Sequence, residues 1–153
     1  MVKGDPVDGK DTHVVAGSTT SSPPTPYSGT GKYTYGGEVV DGFSGFVTIG
    51  GTPLAVVTSA SRLRAAGATD HSAPKGSGFV PPTPPPAAAT LTFVPPTGVG
   101  AGRPSSGVGS RLLTVAGTKA LLDGDAFDTC GIPGGRRSCT VAAEGQGFVT
   151  CSA

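Results

Sequence analysis

Five side chains in this 153-residue chain are imidazoles or thiols, candidate ligands for a metal ion: His13, His71, Cys130, Cys139 and Cys151. Three of them share a local context. Asp11-Thr12-His13, Thr69-Asp70-His71 and Asp128-Thr129-Cys130 each set an imidazole or a thiol directly after an Asp/Thr pair. The steps between them are 58 and 59 residues, so one falls in each third of the chain. In a body built from three similar units, such residues would converge on the common axis. A closed tetrahedral zinc site needs four ligands. Cys139 follows Cys130 across the turn-forming Gly131-Ile132-Pro133-Gly134-Gly135 and is placed to loop back as the fourth. Cys151 falls at a strand position and reads as a small core thiol, with a ligand role in place of Cys139 as its alternative. The expected site is therefore His13, His71, Cys130 and Cys139 around a structural Zn²⁺. Fe²⁺ is the competing ion, because geometry rather than affinity usually decides. A Cys130–Cys139 disulfide is the rival use of these thiols, and synthesis in a reducing cytosol argues against it.

The same residue types give little support to catalysis. A metallohydrolase needs an open metal position and a nearby general base. The only glutamates, Glu38 and Glu144, lie outside any His-Glu-x-x-His context. No Gly-x-Ser-x-Gly elbow is present, and Gly98-Val99-Gly100-Ala101-Gly102 lacks the Lys-Ser/Thr that completes a phosphate loop. Asp5, Asp8 and Asp11 could suggest calcium, but the Glu that closes an EF-hand loop is missing, and they read as solvated turn residues. No enzyme is expected. With a net charge of +1 and 14% charged residues, the chain has no electrostatic footprint for nucleic acid or an anionic membrane. It also has no apolar run of the roughly 18 residues a membrane span requires. No apolar stretch follows Lys3, so Met1 to Pro6 does not read as a secretory signal, and cytoplasmic synthesis is expected.

The elements that must position these ligands are strands. Gly (26) and Pro (15) punctuate the chain throughout, and Val outnumbers Leu by more than two to one. β-branched residues between such breakers favour strands over long helices. The best helical window, Ser59 to Ala68, is short and has no apolar stripe. The fold class is all-β, with a thin core and long Gly/Pro-rich connections, and a structural metal would help hold such a core together. Residues 2–17, 39–63 and 111–153 read as ordered. Gly17 to Tyr35 and Ser72 to Ser110 read as punctuated stretches, the second holding the polyproline run Pro81 to Pro86 and a short strand at Leu91-Thr92-Phe93-Val94.

Repeats organise the ordered parts. Val47-Thr48-Ile49-Gly50-Gly51-Thr52-Pro53-Leu54-Ala55-Val56 aligns without gaps on Leu113-Thr114-Val115-Ala116-Gly117-Thr118-Lys119-Ala120-Leu121-Leu122. Each reads as strand, two-residue turn, strand. Gly45-Phe46-Val47-Thr48 recurs as Gly147-Phe148-Val149-Thr150. One hairpin unit is reused, which implies a pseudo-symmetric body.

With these residues assembled, the chain resembles the PAAR and PAAR-like spike-tip proteins, named for a proline-alanine-alanine-arginine motif. The likeness is carried by Gly4-Asp5-Pro6 followed by His13, by the hairpins Val47–Val57 and Leu113–Leu122, by Gly124-Asp125, and by Cys130-Gly131 followed by Cys139-Thr140-Val141. It covers about half the chain. The naming motif itself is degenerate: Thr52-Pro53-Leu54-Ala55 and Thr118-Lys119-Ala120-Leu121 stand in its place without the Arg. The resemblance implies one domain over 1–153, a small conical pseudo-threefold β body with loop insertions at 18–44 and 74–110. It implies zinc near the point, held by residues matching His13, His71, Cys130 and Cys139. It also implies docking of one copy on a trimeric β-helical spike of the valine-glycine-repeat or phage type. Such a tip would puncture an envelope when a sheath contracts, as in type VI secretion or the phage-tail-like extracellular injection systems that this sequence resembles more. It would be exported with the particle, and the two insertions would be places for effector cargo. The competing function is a metal-stabilised adhesin or carbohydrate-binding module, for which Tyr27, Tyr33 and Tyr35 would supply the aromatic surface.

Overall fold

The computed structural model describes residues 1–19, 22–64, 71, 74, 76–80, 90–94, 96–130 and 139–145. The Pro81–Pro86 run, Cys151, the turn 131–135 and the echo at 147–150 lie outside the described residues. Twelve strands follow in chain order: β1 (Pro6–Ser18), β2 (Pro26–Asp41), β3 (Thr48–Ile49), β4 (Thr52–Pro53), β5 (Ala60–Leu63), β6 (Ser77–Val80), β7 (Thr90–Val94), β8 (Ala101–Pro104), β9 (Thr114–Val115), β10 (Thr118–Lys119), β11 (Ala126–Thr129) and β12 (Cys139–Val141). All named pairings are antiparallel. The all-β expectation holds.

Alternation builds the longest pair. In β1 the buried Val7, Asp11, His13 and Val15 fall on one face, and in β2 so do Tyr27, Gly31, Tyr33, Tyr35, Gly37 and Val39, the period of two that a pleated strand imposes. β1 and β2 pair without a break from Pro6–Glu38 to Ser18–Pro26. The expected loop insertion at 18–44 is thus corrected, since most of it is a central strand. Its Ser, Thr and Gly residues suggest a loop by composition, whereas Tyr27, Tyr33, Tyr35 and Val39 mark a strand by periodicity. The glycines make room: a Cβ at Gly37 would lie 2.5 Å from the Tyr35 ring. Segment 74–110 likewise contributes β6, β7 and β8, with the expected strand at Leu91–Val94 inside β7.

Six strands close on themselves. β2 pairs with β5, β5 with β8, β8 with β11, β11 with β12, β12 with β1, and β1 with β2. A closed ring leaves no sheet edge within it. Beyond the ring the β1–β2 ribbon projects, flanked by β7 on β1 and β6 on β2.

The ring is pseudo-threefold, and its hydrogen bonds repeat. Three turns lead into β1, β5 and β11: Val2–Asp5, Val56–Ser59 and Leu122–Asp125. In each, the first residue's N–H donates to the fourth residue's side chain, at 2.7, 3.0 and 2.7 Å. The fourth residue's N–H returns to the first carbonyl at 3.3, 2.8 and 3.2 Å. On the axis the residues preceding these turns form a cycle. The Met1 nitrogen donates to Leu121 O at 3.3 Å, Leu121 N–H to Ala55 O at 3.1 Å, and Ala55 N–H to Met1 O at 2.9 Å. Met1, Ala55 and Leu121 join Val7, Tyr35, Val39, Phe127, Cys139 and Val141 in one core cluster.

The two repeated hairpins form as their sequences predict. Ile49 pairs with Thr52 around Gly50-Gly51, and Val115 with Thr118 around Ala116-Gly117. All four turn residues have positive φ (58°, 82°, 49° and 77°), the geometry that two-residue hairpin turns require and glycine supplies without strain.

Candidate metal centre

The centre lies where β1 passes from the barrel wall into the projecting ribbon. On its second edge β1 pairs with β12 as far as Gly9 and with β7 from Val14 onward. Between these stretches Asp11 and His13, two residues apart, turn the same way. β11 ends at Thr129 and delivers Cys130 to this point, while His71 arrives from the segment after β5. Asp11 sits in the middle. Its Oδ1 and Oδ2 lie 3.1 and 3.2 Å from His71 Nε2, and Oδ2 lies 3.5 Å from His13 Nε2 and 3.4 Å from Cys130 Sγ. Cys130 Sγ and His13 Nε2 are 3.4 Å apart. Asp11, His13 and His71 are buried and Cys130 is half-buried; one ligand atom from each falls within 4.8 Å of the others.

Aromatic packing fixes the imidazoles from the ribbon side. The His13 ring lies 4.8 Å from Phe93 and 5.3 Å from both Tyr33 and His71. From the barrel side Tyr35 closes the floor, its hydroxyl 3.0 Å from Ser61 Oγ. Burial raises the Tyr35 hydroxyl to about 12, only partly countered by that hydrogen bond.

Electrostatics prepare three of the ligands differently. Burial alone would raise the Asp11 carboxyl, but the hydrogen bond from His71, the charges of His71 and His13 and the Cys130 contact together hold it below the ordinary carboxylate range. Burial lowers His13, outweighing the pull of Asp11, so this imidazole is neutral near pH 7. Burial, with the neighbouring Asp11 charge, pushes the Cys130 thiol up to about 12, so without an ion it stays protonated.

The donor set fits a metal ion. Two imidazoles, a thiol and a carboxylate meet in a largely buried space. The buried His71 Nδ1 has no hydrogen-bond partner among the described residues. An ion there would draw a thiolate from Cys130 and hold β1, β11 and the His71 segment together.

Three of the four expected ligands, His13, His71 and Cys130, are therefore brought together. Cys139 is not among the clustered donors, and Asp11 occupies the fourth place. The register gives the reason. Val7 faces Gly37, Ser61 faces Gly102 and Phe127 faces Cys139, at equivalent places in the three units. Cys139 thus stands at an interior position that is glycine in the other two, and it is fully buried in the apolar core. Cys130 and Cys139 are both free thiols, so no disulfide joins them. Asp11 was legible in the sequence: Asp-x-His on a strand sets both side chains on one face.

The reason given for convergence also needs correction. The structural repeat runs Asp5, Ser59, Asp125, in steps of 54 and 66 residues. On that register Cys130 corresponds to Lys10 and Arg64, so the Asp/Thr contexts are not structural equivalents. The three tyrosines are core residues, so they do not supply the exposed aromatic surface expected of them in an adhesin. Asp5 accepts from Val2 N–H and Asp8 pairs with Arg64, so neither joins Asp11 in a calcium loop. No helix among the described residues is long and apolar enough to cross a membrane. Comparison with known protein families, with curated proteins and with solved structures finds no match.

Proposed function

We propose that this chain is a PAAR-like tip of a contractile injection device, capping a trimeric β-helical spike and sharpening it for envelope puncture. The observation that carries the reading is the hydrogen-bonded cycle of Met1, Ala55 and Leu121. Around it one chain presents similar turns and hairpins about a single axis. A monomer that must sit on a threefold partner needs this arrangement.

Further support comes from the hairpin side of the barrel. Phe46 and Leu112 are 73% and 79% exposed, and they hold the same position in the two hairpin units, 66 residues apart. Large apolar side chains left in water at equivalent places are a docking feature. Phe148 repeats the Gly-Phe-Val-Thr context of Phe46. The role is structural, with no catalytic step. The ion we infer is Zn²⁺, with Fe²⁺ as the competitor, since two imidazoles, a thiolate and a carboxylate suit a closed four-coordinate site. On this reading the chain is made in the cytoplasm and leaves the cell on the particle. The projecting sheet β6-β2-β1-β7 is then the place for effector cargo.

The test is co-expression with a trimeric valine-glycine-repeat spike, followed by native mass measurement. One chain per trimer is expected, and Phe46→Asp with Leu112→Asp should abolish the complex while leaving the far-ultraviolet circular dichroism unchanged. A folded, metal-loaded wild-type chain that forms no such complex would overturn the proposal.

A further inference from the structure

Asp11 in the cluster and Cys139 in the core beneath it both contact one residue, Thr129. Thr129 Oγ1 donates to Asp11 Oδ2 at 3.1 Å and lies 3.8 Å from Cys139 Sγ. Its single proton is committed to the carboxylate, and its oxygen stands between that carboxylate and the Cys139 sulfur. The Thr129 methyl is held as well: it lies against Gly102, where a Cβ would meet it at 3.4 Å. A β-branched side chain packed in this way has little freedom at χ1.

We propose that Thr129 selects the donor set, holding the Asp11 carboxylate on the metal and the Cys139 thiol off it. The inference rests on the metal reading of the centre. Thr129 is a positioning residue: it touches a ligand, and its hydroxyl and its bulk do separable work. The hydroxyl orients the carboxylate. The bulk stands between Cys139 Sγ and the carboxylate. Partners of this outer kind are typically worth 10- to 100-fold in metal affinity.

Cobalt(II) substitution reads both effects, because sulfur-to-cobalt charge-transfer absorbance per ion scales with the number of thiolates bound. The wild-type protein and Thr129→Ser should show one thiolate. Thr129→Val, which keeps the shape and loses the hydroxyl, should show one thiolate with about 10- to 100-fold weaker cobalt affinity in chelator competition. Thr129→Ala should gain a second thiolate, and adding Cys139→Ser should remove it. A wild-type spectrum with two thiolates, a Thr129→Val protein of wild-type affinity, or a Thr129→Ala protein with an unchanged band would each overturn the inference. Wild-type protein that takes up no cobalt would instead overturn the metal reading, and the inference with it.

Discussion

Ser110 stands to its hairpin as Ser44 stands to its own. The Ser44 hydroxyl accepts from the N–H groups of Phe46 and Val47 at 3.4 and 3.0 Å, and the Ser110 hydroxyl from those of Leu112 and Leu113 at 3.2 and 2.9 Å. Their own N–H groups donate to Leu54 O and Ala120 O at 2.9 and 2.8 Å. Matching groups bonded in the same sense at both sites show that the hairpins are copies in three dimensions. Each pair of bonds also ties down the chain just where Phe46 and Leu112 are turned into solvent.

The copies differ at one strained place, and that difference predicts a stabilising substitution. Ala116 has φ of 49° where the first hairpin has Gly50 at 58°. A residue with a Cβ pays roughly 1–2 kcal/mol for that conformation, and glycine does not. Part of the gain returns as the larger chain entropy that glycine loses on folding. Ala116→Gly should therefore raise the stability by about 0.5–1 kcal/mol, read as a higher urea midpoint at unchanged slope. A lower midpoint would show that the turn is not strained.

How much of this was legible follows from which signal each element carries. The hairpins were readable because Gly50-Gly51 and Ala116-Gly117 lie between alternating apolar residues, and a two-residue turn fixes the register by itself. Convergence of His13, His71 and Cys130 was readable from residue type. The length of β2 was hidden because its inward position at Gly37 is filled by the Tyr35 ring, so composition mimicked a loop. The role of Cys139 was hidden more deeply. Only the pairing of Phe127 with Cys139, equivalent to Ser61 with Gly102, places it inside the barrel, and such non-local register is not written in local spacing.

Burial and exposure at two leucines give a paired prediction. Leu121 lies on the axis, 1% exposed, whereas Leu112 is 79% exposed. Leu121→Ala removes packed methyl groups and leaves a cavity among Met1, Ala55 and Val7, at a cost of about 2–5 kcal/mol. Leu112→Ala should leave folding within about 0.5 kcal/mol of wild type and weaken only the spike complex. Equal destabilisation by the two substitutions, measured by thermal or urea unfolding, would contradict the axial role assigned to Leu121.

Metal removal should cost stability in a pH-dependent way, and the sign follows from the ligands. Near pH 7 the Asp11 carboxyl is already ionised and the His13 imidazole already neutral, because their values lie below the ordinary ones. Cys130, raised to about 12, must give up its proton when an ion binds. The free protein keeps that proton throughout the neutral range, so rising pH lowers the cost of releasing it and affinity increases, by up to tenfold per pH unit for this one group. Free ion at 1,000 times Kd stabilises the fold by about 4 kcal/mol, so a chelator should lower the melting temperature. The drop should be larger at pH 8 than at pH 6. The Cys130 proton should also appear in calorimetric titrations in buffers of different ionisation enthalpy, as at least one proton released per ion bound. Asp11→Asn should abolish the chelator effect and Cys139→Ser should keep it. The reverse pattern would return Cys139 to the metal and Asp11 to a supporting role.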